Sequence, residues 1–166
     1  MTSDERSRLM SRIRGKDTKP ELLIRKGLFS RGYRYRLHRA DLPGKPDLVL
    51  PLYNAVIFVQ GCFWHGHNCH LFKLPKTNTE FWATKIKANC RRDEKNRLKL
   101  IAAGWRVIEV WECSLRGKHR MELEQVMGAI SDWLTSNNSY RSVHSLEPLM
   151  TDSQGLSDRQ QKKLTS

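Results

Sequence analysis

Apolar positions between residues 18 and 134 recur with periods that switch between those of a helix and a strand. Thr18-Lys19-Pro20-Glu21 reads as a helix start, with Thr18 as cap, Pro20 in the first turn and Glu21 completing a capping box. Leu23, Ile24 and Leu28 give that helix an apolar stripe, and Gly32 ends it. Tyr33 to Leu37 alternates with period two and predicts a strand with one basic face. Asp41-Leu42-Pro43-Gly44-Lys45-Pro46 is a turn that delivers Asp47 to a short strand, Leu48-Val49-Leu50. A second turn, Pro51 to Asn54, leads into Ala55-Val56-Ile57-Phe58-Val59-Gln60, so short a connection making the two strands antiparallel neighbours. Thr77-Asn78-Thr79-Glu80 offers another capping box, opening a helix that runs to about Ala103 and stops at Gly104. Trp105 to Trp111 is a further strand, and Met121 to Leu134 a last helix carrying Leu123, Val126, Met127, Ile130 and Trp133. The order predicts a mixed α/β fold, a sheet with helices packed against it.

Flanking this stretch are two polar segments. Residues 1–17 read as a basic arm with Leu9, Met10 and Ile13 at helical spacing, either frayed or ordering on a partner. Residues 135–166 are rich in Ser, Asn, Gln and Lys and are expected to be largely disordered. At 166 residues the chain suits one domain, residues 18–134, with tails.

Charge narrows the partner. Thirty Lys and Arg against 17 acids give a formal charge of +13, which favours a polyanion: DNA, RNA or an anionic membrane surface. No run of about eighteen apolar residues and no apolar leader core is present, so a soluble intracellular protein is expected. In a reducing compartment the four cysteines favour metal ligation over disulfides.

The candidate chemistry concentrates in Gly61-Cys62-Phe63-Trp64-His65-Gly66-His67-Asn68-Cys69, a loop leaving the end of the Ala55–Gln60 strand. Cys62, His67 and Cys69 are close enough in sequence to clasp one ion. Cys113 completes a tetrahedral zinc set if the strand after Gly104 lies beside the one ending at Gln60. Cys90 is the rival fourth ligand, and buried thiols with a surface His67 the bland alternative. His65 is then left for acid–base work. Asp47 can hold magnesium for phosphodiester hydrolysis, although a lone Asp after Pro46 more often serves a turn. Trp82, Lys85 and Asn89 share one face of the long helix.

Taken together, Leu42-Pro43-Gly44-Lys45-Pro46-Asp47, the run Val56 to Cys69, Thr79-Glu80-Phe81-Trp82, Gly104-Trp105-Arg106-Val107 and Trp111-Glu112-Cys113 resemble the very short patch repair DNA mismatch endonucleases. The resemblance extends from about Met10 to Leu134. It implies a restriction-endonuclease-like core, a mixed central sheet flanked by helices, with structural zinc on Cys62, His67, Cys69 and Cys113. It implies a magnesium-dependent nick in one strand of double-stranded DNA beside a T:G mismatch left by deamination of 5-methylcytosine. By position, Asp47 and the Val59 main-chain carbonyl would hold magnesium, His65 would activate water, and Glu21 would steady metal-bound water unless its capping role excludes this. Phe63, Trp64 and Trp82 look like a wedge entering the base stack at the mispair, where unstacking is cheapest. Lys85 and Asn89 would reach its base edges. Met10 belongs to an arm closing on the opposite groove. The same likeness implies a monomer, cooperation with mismatch-repair factors, and a cytoplasmic, nucleoid-associated protein of a prokaryote. One position departs from the family pattern: Gln60 stands where a second histidine is found, and an amide cannot shuttle a proton. Two other readings fit the same features, a restriction-like nuclease of different target and a zinc-stabilised DNA-binding module without catalysis.

Overall fold

The computed structural model describes residues 2–5 and 17–146; Met10, with the rest of the predicted arm from 6 to 16, and residues 147–166 lie outside them. Five strands form one mixed sheet in sequence order: β1 (Arg36–Leu37), β2 (Leu48–Leu50), β3 (Ala55–Gln60), β4 (Arg106–Trp111) and β5 (Tyr140–Val143). The first three are antiparallel neighbours, with Leu48 opposite Ile57 and Leu50 opposite Ala55. β4 lies parallel to β3, with Val56 beside Val107 and Gln60 beside Trp111. Parallel neighbours need a crossover. Helix α2 (Thr79–Ala102) supplies it between β3 and β4, and α3 (Leu123–Leu134) between β4 and β5.

Period-two alternation sends the two sides of the sheet to two cores. Leu48, Leu50, Ala55, Ile57, Ile108 and Val110 pack on one face against Ile24 and Leu28 of helix α1 (Lys19–Ser30) and Val126, Met127, Ile130 and Trp133 of α3. Val49, Val56 and Val107 pack on the other against Leu100 near the end of α2. The molecule is therefore three layers, helix on sheet on helix. α2 has 24 residues but buries only Ile86 and Leu100. Between those two anchors the helix stands over polar residues, and this gap becomes the site described below.

Three expectations change. The Tyr33–Leu37 strand shrinks to Arg36–Leu37 at the sheet edge. The capping box predicted before α2 does not form; Asn78 caps with φ of 55°, and the Thr79 hydroxyl donates to the Pro75 carbonyl at 2.8 Å. The polar segment from Thr135, expected to be disordered, contributes β5 as far as Val143. Arg106 is the reason: its guanidinium donates to the carbonyls of Trp133 and of Leu134 (3.1 Å) at the end of α3. It also donates to those of Ser136 (2.9 Å) and Asn138 (3.2 Å), fixing the turn that returns the chain to the sheet. A cation at these unpaired carbonyls satisfies the helix end and folds back the segment after it.

Candidate active site

A cavity of about 570 Å³ opens between α2 and the sheet. Phe58, Gln60 and Glu109 line it from β3 and β4, and Arg92, Asp93, Asn96 and Arg97 from α2. Asp47 and His65 line the same space, so the structure brings together the two residues on which hydrolysis was expected to rest. Gly44, at φ of +75°, lets the turn approach closely: a Cβ there would lie 3.2 Å from Asn96 Cβ and 3.3 Å from Phe58 Cε1.

Asp47 accepts the Val59 N–H at 2.7 Å through Oδ2. In an extended strand the N–H and C=O of one residue point to the same edge, so the Val59 carbonyl also faces the Asp47 side. Burial pushes the Asp47 carboxyl up to about 6, and the nearby charge of Glu21 adds to this while the Val59 N–H opposes it. A carboxylate so placed favours a cation.

His65 Nδ1 lies 2.6 Å from Asp93 Oδ2. An ionised carboxylate only accepts, so Nδ1 carries the proton and Nε2 is the basic nitrogen. α2 also grips the loop that carries His65. The Asn89 amide donates to the Trp64 carbonyl at 3.0 Å, and the Cys90 thiol to the His65 carbonyl at 3.3 Å. Gly66, at φ of +62°, has no room for a side chain: a Cβ would fall 2.7 Å from Cys90 Sγ and 2.8 Å from Ile86 Cγ2.

Cys62, His67, Cys69 and Cys113 each offer a ligand atom within 4.8 Å of the others, a set that can hold a metal ion. The parallel β3–β4 pairing produces it, because both strands end at the same level and release Cys62 and Cys113 side by side. Cys90, the rival, spends its thiol on the His65 carbonyl and is not in the cluster. The Cys62 thiol, His67 and the Ser145 main chain hold Cys113 well below its ordinary value against the effect of burial, while hydrogen bonding to Cys113 and burial push Cys62 up. Three sulfurs and one imidazole converging on one point are a donor set that can take a metal ion. His67 stacks on Trp111 at 4.2 Å and 10°, which fixes its ring plane.

Next to His65 in the chain and on α2, Phe63, Trp64 and Trp82 form a cluster with centroids 5.2 to 5.9 Å apart, all three partly exposed. Lys85 Nζ sits 5.7 Å from the Trp64 ring and 5.6 Å from that of Trp82. Asn89 joins Trp82 and Lys85 on this side of the helix, as its spacing predicted, with its amide held by Trp64 and by Arg92, 2.9 Å from Oδ1.

Glu21, expected to steady metal-bound water unless its capping role excludes this, lies with Asp17 and His38 in a second group whose ligand atoms are within 4.8 Å of one another and can hold a metal ion. It is 2 % exposed, takes the Thr18 N–H on Oε2 (3.4 Å), and gives Oε1 to Arg25 (2.5 Å) and His38 (3.1 Å). The cap takes one oxygen and Arg25 with His38 the other, and Glu21 is not in the cavity lining; its influence on Asp47 is through charge. Sequence reasoning missed Asp93, Arg97 and Glu109. Asp93 had a signal, lying one helical turn beyond Asn89 on the face already picked out. Glu109 had one too, as the only charge inside an otherwise apolar run, Val107 to Trp111.

The chain is similar to known proteins over most of its length. The family profile described as DNA mismatch endonuclease Vsr matches residues 1–71. The type II nicking enzyme V.NmeAIP of Neisseria meningitidis serogroup A is 47% identical over 133 residues, 79% of this chain and 95% of that protein. V.XorIIP of Xanthomonas oryzae pv. oryzae, also a type II nicking enzyme, is 50% identical over 69% of this chain and 85% of its own length. The DNA mismatch endonuclease Vsr of Escherichia coli K12 is 41% identical over 83% of this chain and 88% of its own.

Proposed function

The chain belongs to the DNA mismatch endonuclease Vsr family, and from that premise we propose that it nicks one strand of duplex DNA beside a T:G mismatch. The observation that carries this reading is the placement of Asp47 and the His65–Asp93 pair on one cavity, with His65 directly following Trp64 of a partly exposed aromatic cluster. A nuclease needs charge neutralised at the scissile phosphate and a base for the attacking water. Asp47 and the Val59 carbonyl fit magnesium, a hard cation that takes oxygen ligands. When bound, that ion would offset charge on the phosphate.

The chain's own groups do the rest. Asp93 keeps the His65 proton on Nδ1 and turns Nε2 towards the cavity, where it can take a proton from water. Gln60, 6 % exposed on the cavity floor, offers an amide to water or phosphate without taking up a proton. Phe63, Trp64 and Trp82 supply stacking surfaces for splayed bases, Lys85 a cation beside them, and Asn89 a scaffold for the loop. Three sulfurs and an imidazole suit zinc with no open position, so that ion would be structural and would tie the His65 loop to the ends of β3 and β4. The three-layer core fits a restriction-endonuclease-like fold, and the chain is read as acting as a monomer. Among the described residues no helix is long and apolar enough to cross a membrane, and the charge of +13 finds its partner in DNA.

The test is cleavage of T:G, other mismatches and fully paired duplex in one sequence context, with and without magnesium, by wild type and Asp47→Ala. Preferential nicking of T:G that the substitution abolishes is the expected result. Equal cleavage of paired duplex would indicate a restriction-like target, and binding with no cleavage a DNA-binding module.

A further inference from the structure

Glu109 lies in β4 beside Phe58 of β3, and one step beyond the Leu48–Ile57 pair places Asp47 on the other side of Phe58. The two acids therefore flank one aromatic on the cavity floor, two strand spacings or about 10 Å apart. Glu109 is 4 % exposed and is held by Arg97, whose Nη1 donates to Oε1 at 3.0 Å; the Tyr140 hydroxyl is 3.4 Å from Oε2. The Arg97 Cζ lies 4.8 Å from the centre of the Tyr140 ring, so the guanidinium is braced by a carboxylate and by an aromatic. Among the described residues this is the one side-chain hydrogen bond Arg97 makes, and it takes one of five N–H donors. The Arg97 side chain is 27 % exposed against 6 % for Glu109, and both line the cavity, so the guanidinium is the more accessible member of the pair.

A buried ion pair is a poor means of stabilising a sheet, since apolar side chains of similar volume do as well. A guanidinium with its plane fixed and donors to spare is, by contrast, well matched to a phosphodiester, because less freedom is lost when the second anion binds. We propose that Arg97, held by Glu109 and Tyr140, is a substrate-binding residue that receives a phosphate of the bound strand next to the one at Asp47. This rests on the nuclease reading and adds a contact the proton-transfer groups do not make. β5, which brings Tyr140, thereby becomes part of the DNA-binding apparatus.

The experiment uses the full chain with its zinc, a mismatched duplex, and binding followed by fluorescence anisotropy over a range of salt without magnesium. Arg97→Gln combined with Glu109→Gln exchanges the ion pair for an amide pair. The expected result is a Kd raised roughly tenfold or more and a log Kd against log salt slope shallower by about 0.9, the signature of one lost phosphate contact. Arg97→Lys should keep the slope and still raise the KM for nicking with little change in kcat. A lower Tm with slope and Kd both at wild-type values would overturn the proposal and leave Arg97 a structural residue. Should the double variant not fold, Arg97→Lys decides: an unchanged KM overturns the assignment. Wild-type protein that nicks nothing would remove the nuclease reading while the slope still decides Arg97, whereas normal nicking with an unchanged slope removes Arg97 alone.

Discussion

Asp47→Asn should make the magnesium-free protein more stable while destroying its activity. The carboxyl is raised from 3.8 to about 6, chiefly by burial, so the folded chain holds this proton more tightly than the unfolded chain does. A carboxyl shifted upward costs stability once it ionises. The cost begins near the unfolded value, grows as pH rises, and levels off above the folded value. With 1.36 kcal/mol per unit, the penalty is about 1.6 kcal/mol near pH 5 and about 3 kcal/mol near pH 8. Asparagine carries no such penalty, and its amide oxygen can still accept the Val59 N–H. Urea denaturation of both proteins, with zinc in place and no added magnesium, should show Asp47→Asn ahead by a margin that widens by roughly 1.4 kcal/mol between pH 5 and 8. Magnesium should narrow the margin near pH 8 by stabilising the wild-type carboxylate, since a ligand of the folded state adds to its stability. A margin that stays flat across this range, or shrinks as pH rises, would refute the reasoning, because Asp47 would then not be a desolvated carboxylate awaiting a cation.

Other consequences are as direct. Asp93→Asn removes the charge that holds His65 at 2.6 Å; single-turnover nicking should slow on the order of a hundredfold or more while duplex affinity stays near wild type. Cys113→Ser should lose the zinc and lower the Tm, and retention of one zinc per chain, measured by elemental analysis, would remove Cys113 from the ligand set. Trp82→Ala should weaken binding to the mismatched duplex by about 1–3 kcal/mol, with a smaller loss on paired duplex, as read by anisotropy.

How much of this was legible beforehand depends on the range over which each interaction acts. Ala55–Gln60 announces itself as a buried strand, α3 as an amphipathic helix, and Thr18 to Glu21 as a helix start, because apolar period and capping are set by residues a few positions apart. The metal cluster was legible for a related reason: three of its ligands lie in one loop, and the fourth follows from the two strands being neighbours. Composition misled at residues 135–146, where polarity suggested disorder. The pairing of β5 depends on Arg106 binding the carbonyls that end α3, about thirty residues away, and no local pattern encodes it.

The same division runs through the site. The chain by itself determined which segments would be helix and strand, which loop would carry the thiols and imidazoles, and that the partner would be an anion. Only the tertiary structure decided that Asp93 orients His65, that Glu21 is held by Arg25 and His38 outside the cavity lining, and that Glu109, held by Arg97, lies across Phe58 from Asp47. Periodicity reports which face of an element is apolar. The partner of a polar side chain is chosen by where the elements dock, and that is settled by packing between residues far apart in the chain.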